Sequence, residues 1–204
     1  GTHSASSRRP SSSDTRANRP ERRLGAPIWL TSSASVLFED PPKTLSTKSG
    51  SGTRSVLEHV IAAARASGLS WHVVTPEQTA SLPQQGMGTS IAVGVAATPG
   101  ASGWLVMPGD LPLIQPESLQ AVASAMAHHQ TVVPVVDGKA GHPVGFGERC
   151  REALLALRGD TGARTVLEQH PPHRLALHDV GCILDVDTPS LLAQAQALAS
   201  SAGQ

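Results

Sequence analysis

The sequence predicts an α/β fold: a single three-layer domain around a mixed, mostly parallel, Rossmann-like sheet. Three observations carry this. Short β-rich runs alternate with helix-patterned segments from about residue 55 onward, the order of a sheet covered on both faces. One run, 104–107 (WLVM), is continuously apolar and reads as a buried strand. Acidic and glycine-rich segments follow directly on strand-like runs, where ligands bind in such sheets.

Each element has its own signal. Residues 26–30 read as a short edge strand and 36–38 as another short piece, within a loop-like Ser/Thr/Pro/Gly background. Ser55 and Glu58 form a capping box. Val56, Leu57, Val60, Ile61 and Ala64 then recur at helical spacing, and Gly68 stops the helix. Residues 71–75 (WHVVT) are β-rich. A helix over 87–97 opens on a Gly86-Met87-Gly88 turn, with Thr89 or Ser90 as its cap. Pro116 opens a helix reaching about His128. Residues 131–136 form a strand that Pro134 pushes toward an edge or a bulge. Helices are expected over 148–157, 162–169 and 189–200, and strands over 174–178 and 183–186.

Composition bounds the function. The chain has 204 residues, 39% hydrophobic but only 2% aromatic, so the core is built from Ala, Val, Leu and Ile. Sixteen basic residues balance sixteen acidic ones, which argues against a nucleic-acid binder. No apolar run approaches the ~18 residues of a membrane span. Cys150 and Cys182 make neither a disulfide framework nor a zinc cluster, and a reduced cytoplasmic compartment is expected. Residues 1–54 carry nine basic against four acidic side chains, leaving the remainder with an excess of five acids. This asymmetry suggests a boundary. Residues 1–23 read as a disordered Ser/Arg-rich tail, 24–54 as a divergent loop-rich segment and 55–204 as the α/β domain.

Five segments can carry chemistry. In LVMPGDLPLI a buried strand ends, two prolines stiffen the turn and Asp110 is presented at the mouth of the sheet. A carboxylate there can coordinate Mg²⁺, or it can simply cap its own turn. In LDVDTP the acids Asp185 and Asp187 stand at i and i+2, on one face of an expected strand. Asp187 is either the cap of the final helix or a second metal ligand opposite Asp110. Gly86 and Gly88, with Ser90, open a helix where backbone amides can approach a ligand. Lys139 and His142 lie in a loop constrained by GHPVGF. Arg164 closes LRGDTGAR, where it can pair with an anion, while Asp160 or Thr161 can cap the following helix.

Together these segments resemble the MobA-like NTP transferases, in particular the molybdenum cofactor cytidylyltransferase group, over roughly residues 55–200. The resemblance implies a fold of the nucleotide-diphospho-sugar transferase type. It implies transfer of a nucleoside monophosphate from an NTP, with CTP expected, to the phosphate of a molybdopterin-type cofactor, releasing pyrophosphate. Mg²⁺ would sit on Asp110, with Asp187 as the second acid and Asp185 as the fallback. Gly86, Gly88 and Ser90 would lie near the nucleotide, and Lys139, His142 and Arg164 on the acceptor side. A molybdoenzyme or its chaperone would be the protein partner. One departure stands out. The family opens with a strand and a glycine-rich loop, LAAG-x-G-x-R-x-G, that wraps the triphosphate. Here residues 28–36, IWLTSSASV, read as a strand followed by small residues, with no glycine and no arginine at the needed spacing. Weak turnover, or binding without turnover, is expected on that ground.

Overall fold

The computed structural model describes residues 28–31, 44–46 and 53–201. The expected tail over 1–23 and the piece at 36–38 lie outside them.

Seven strands form one sheet: β1 (Ile28–Thr31), β4 (Trp71–Val74), β5 (Gly103–Pro108), β6 (Thr131–Val136), β7 (Lys139–Ala140), β8 (Val144–Gly147) and β9 (His173–Ala176). A separate antiparallel pair joins β2 (Thr44–Ser46) to β3 (Thr53–Ser55). β1 runs parallel to β4 on one side and to β5 on the other, with Ile28 opposite both Trp71 and Leu105. The edge position expected for 26–30 is therefore corrected: this strand is interior. Ile28, Trp29 and Leu30 carry none of the charges that usually protect an exposed edge.

β8 pairs antiparallel with both β5 and β6, and β9 pairs parallel with β6. Five of the seven strands thus run in one direction, and β7 and β8 oppose them. β6 is interior too, not at an edge. Its residues Thr131 and Val132 pair with β8, while Val135 and Val136 pair with β7. Pro134 stands at this change of partner, where a missing amide is tolerated, and its carbonyl accepts the Gly141 amide at 2.9 Å.

Helices cover both faces. α1 (Val56–Ala66) starts at the expected capping box, with Ser55 Oγ accepting the Glu58 amide at 3.2 Å and Glu58 Oε2 accepting the Ser55 amide at 2.6 Å. Those bonds to Ser55, backbone first, hold the Glu58 carboxyl below its usual range. α1 and α4 (Pro116–Ala125) bury Val60, Ala64, Leu119 and Val122 with Leu105 and Met107 of β5. On the other face α3 (Met87–Ala96), α5 (Arg151–Leu155) and α6 (Arg164–Gln169) bury Ile91, Val95, Leu154 and Val166 with Trp104 and Val106. The four consecutive residues 104–107 thus alternate between two cores, which is why the run carries no polar position. The short helix α2 (Pro76–Thr79) follows β4, and α7 (Pro189–Ser201) closes a third cluster with Val56, Leu184, Val186 and Ala195.

Four local expectations are corrected. The cap of α3 is Gly86, not Thr89 or Ser90. The helix expected over 148–157 divides into a 3-10 turn, Glu148–Cys150, and α5. α6 is capped at Ala163, so neither Asp160 nor Thr161 serves. Residues 183–186 form no strand. A 3-10 turn at Val180–Cys182 redirects the chain, and the Val186 amide goes to the Asp110 carbonyl instead of to a ladder. Among the described residues no helix is long and apolar enough to cross a membrane.

Candidate active site

β1, β4 and β5 end together at one edge of the sheet, with Thr31 opposite both Val74 and Pro108. The chain after β5 turns through Pro108-Gly109 to Asp110. Leu111 and Ile114 are buried immediately beyond it, and the Ile114 amide bonds to the Leu111 carbonyl at 3.2 Å. Apolar anchors on both sides therefore fix where Asp110 stands. The residue is half-buried, with Oδ1 shielded from solvent.

Two further segments are fastened beside it. The Val186 amide donates to the Asp110 carbonyl at 2.9 Å. From Leu184 to Asp187 burial alternates: Leu184 and Val186 point inward, and Asp185 and Asp187 are exposed. The expected i, i+2 pairing on one side thus holds in an extended segment outside the sheet. The GHP loop joins from the other side. The His142 amide donates to the Cys182 carbonyl at 2.8 Å. A Cβ at Gly141 would collide with that carbonyl and come within 2.8 Å of Ile183 Cγ2, so only glycine permits the approach. The His142–Pro143 bond is cis. The imidazole is largely buried, and its Nδ1 has no hydrogen-bond partner among the described residues. Burial pushes its pKa down, opposed by the Val106 backbone and by the negative charge of Asp185. Asp110, His142 and Asp185 are thereby brought to one edge by three separate loops.

The other anticipated residues are placed differently. Gly86 takes φ +137°, and a Cβ there would meet Asp160 Oδ1 and lie 2.6 Å from the Gly159 carbonyl oxygen. A Cβ on Gly88 would strike the Thr161 carbonyl. The glycines of this turn thus seat the 158–161 loop on the first turn of α3. The Ser90 hydroxyl bonds back to the Gly86 carbonyl at 3.1 Å. Lys139 is exposed on β7, after an Asp137-Gly138 turn with φ +49° and +79°. Arg164 is 92% exposed and pairs at 3.5 Å with Glu168 on its own helix. Such a surface pair holds the guanidinium only weakly.

One organising residue escaped the sequence reading. Asp179 accepts the Gly181 amide at 2.8 Å, the Gln115 amide at 2.9 Å and the Ser118 hydroxyl at 2.7 Å. It joins the start of α4 to the segment leading into Asp185. Pro116 without a capping side chain at Gln115 was a hint, but nothing local points to an acid 64 positions away. Both cysteines are free and buried. Burial, then the Asp179 charge, push the Cys182 thiol up to about 12, and burial raises Cys150.

The model of the MobA-like NTP transferase domain matches residues 42–175. The chain belongs to the MobA-like NTP transferase family, and so to the nucleotidyltransferases by class. No curated protein sequence matches it significantly. Among solved structures it is similar to the Rv0371c protein of Mycobacterium tuberculosis H37Rv, at 22% identity and a TM-score of 0.67, over 85% of this chain and 98% of that one. A complex of Rv0371c with manganese gives 22% identity and a TM-score of 0.64, covering 84% and 97%. A nucleotidyl transferase from Methanothermobacter thermautotroptrophicus gives 16% and 0.63, covering 86% and 97%. At these identities the likeness shows a common fold.

Proposed function

We propose that the chain transfers a nucleoside monophosphate, CMP, from an NTP to the phosphate of a molybdopterin-type cofactor, with pyrophosphate leaving. The observation that carries this reading is Asp110, held half-buried at the end of β5 beside Asp185 and Asp187. The donor set fits a hard divalent ion, because every candidate ligand is a carboxylate oxygen. Among the described residues no cluster of three or more His, Cys, Asp or Glu is placed to hold a metal. An ion on Asp110 and Asp187, or Asp185, would draw its remaining ligands from water and substrate phosphates, as Mg²⁺ commonly does. It would neutralise charge on the α-phosphate and the leaving pyrophosphate. The manganese complex of Rv0371c supports a divalent ion in this fold.

The protein's own part is positioning. Asp110 offers its carboxylate from a rigid turn. The His142 amide ties the GHP loop to Cys182, in the segment that leads to Asp185. Gly86, Gly88 and Ser90 border the nucleotide side. Lys139, His142 and Arg164 border the acceptor side. A molybdoenzyme or its chaperone receives the product, in a reduced cytoplasmic compartment. The segment after β1 carries none of the glycine and arginine donors that surround a triphosphate in the family. Each missing charge-assisted hydrogen bond removes roughly 1.5–3 kcal/mol. Turnover is therefore slow relative to binding.

The test is pyrophosphate release with CTP, Mg²⁺ and the pterin acceptor, run beside calorimetric titration of CTP. Mg²⁺-dependent CTP binding with slow, acceptor-dependent release supports the reading. No binding of any of the four NTPs overturns it.

A further inference from the structure

We propose that Thr89 is a positioning residue of the nucleotide side, clasping the 158–161 loop to the first turn of α3 so that the two form one wall. The proposal rests on the transferase reading given above.

Thr89 is a β-branched residue in the first turn of a helix and is only 4% exposed. Its hydroxyl is used twice. It donates to the Gln84 carbonyl, in the segment leading into α3, and accepts the Gly159 amide at 2.9 Å. The Gly88 amide donates to the Gly159 carbonyl at 2.8 Å. The main-chain N–H and C=O of Gly159 are thus both satisfied by α3. One hydroxyl therefore ties together three pieces of chain: residues 84–86, the helix start, and the 158–161 loop. The seam is tight enough to demand glycine on both sides. Gly86 and Gly88 leave no room for a Cβ, and Gly159 takes φ +55°.

This seam lies where the parallel strands end. α3 follows β4 through α2 and begins at that edge, running back to reach β5 at Gly103. The amides of the α3 start that would otherwise face a ligand are partly occupied by Gly159. A nucleotide on this side would meet the outer surface of the combined wall, including exposed Asp160, instead of the bare helix end. The spacing of that wall is set by Thr89. Ser at this position keeps the hydroxyl; Val keeps the shape and loses it, leaving the Gly159 amide and the Gln84 carbonyl without their partner.

The experiment compares the full chain with T89V, T89A and T89S by three readouts. Hydrogen exchange reads the Gly159 amide, titration reads CTP affinity with Mg²⁺, and Mn²⁺ relaxation enhancement without nucleotide reads the metal site. T89V and T89A are expected to exchange Gly159 faster and to bind CTP about tenfold more weakly, the scale of one lost hydrogen bond plus an unsatisfied group. Mn²⁺ binding is expected to stay at the parent level, and T89S to match the parent throughout. Unchanged CTP affinity in T89V and T89A overturns the proposal, as does failure of T89S or a parallel loss of Mn²⁺ binding. If T89V does not fold, T89A and T89S decide. Absence of CTP binding by the parent overturns the transferase reading and the wall's role with it, whereas parent binding with indifferent variants overturns the clasp alone.

Discussion

The amide of Val186 donates to the main-chain carbonyl of Asp110 at 2.9 Å. This bond joins residues 76 positions apart and sets the segment bearing Asp185 and Asp187 beside the turn bearing Asp110. Because it uses backbone on both sides, it constrains where the acids stand without consuming their carboxylates.

Asp179 holds that segment in place. Replacing Asp179 by Ala leaves the Gly181 and Gln115 amides and the Ser118 hydroxyl without an acceptor. Hydrogen bonds to a charged group contribute about 1.5–3 kcal/mol each in favourable settings, and Asp179 is only half-buried. A loss of about 2–4 kcal/mol is expected in denaturant unfolding, with Asn recovering part of it. An Asp179→Ala variant as stable as the parent would remove Asp179 from the account.

Gly86 combines a glycine-only backbone angle with a crowded Cβ position. Such a conformation costs an L residue of order 1–3 kcal/mol before any clash. Gly86→Ala should therefore lower the melting temperature by several degrees, at about 2–4 °C per kcal/mol for a chain of this size. Calorimetry checks this; an unshifted transition contradicts it.

The cysteines should be inert in the native state. With its thiol pushed up to about 12, Cys182 is deprotonated in roughly one molecule in ten thousand at pH 8. Reactivity rises as pH climbs toward that value, so titration with a disulfide reagent at pH 8 should find no fast thiol until denaturant is added. Rapid stoichiometric reaction of the native protein would contradict the burial of both residues.

Much of this fold is legible in the sequence because local and global signals coincide. The Ser55–Glu58 box, the Gly68 stop and the 104–107 strand all follow from patterns within a few residues. What escaped was set by distant partners. The interior place of 28–31 depends on β4 and β5. The place of 183–186 outside the sheet depends on the turn at Val180–Cys182 and on the bond from Val186 to Asp110. The close approach at Gly86 and Gly88 is made by backbone about 70 residues downstream, which no local pattern announces. That Asp110 stands at a turn directly after β5 was legible because a strand, two prolines and one acid fall in sequence order. Arg164 lies exposed at the start of α6, beside Glu168.

Because β1 is already paired inside the sheet, a graft need replace only the connection after it. A chimera with a glycine-rich LAAG-type loop between Thr31 and Thr44 should raise turnover by about a hundredfold or more, the worth of a single preorganised donor in many enzymes. Pyrophosphate release by the two proteins is the comparison. An unmodified chain that turns over at the chimera's rate would show that 32–43 builds a phosphate site of its own.

The most direct test of the central claim is Asp110→Asn, measured by titration of CTP with and without Mg²⁺. The substitution keeps the side chain's size and removes the charge that would hold the ion. The account predicts loss of the Mg²⁺-dependent part of CTP binding with a nearly unchanged melting temperature. Parent-like binding of Mg²⁺–CTP by Asp110→Asn would contradict it.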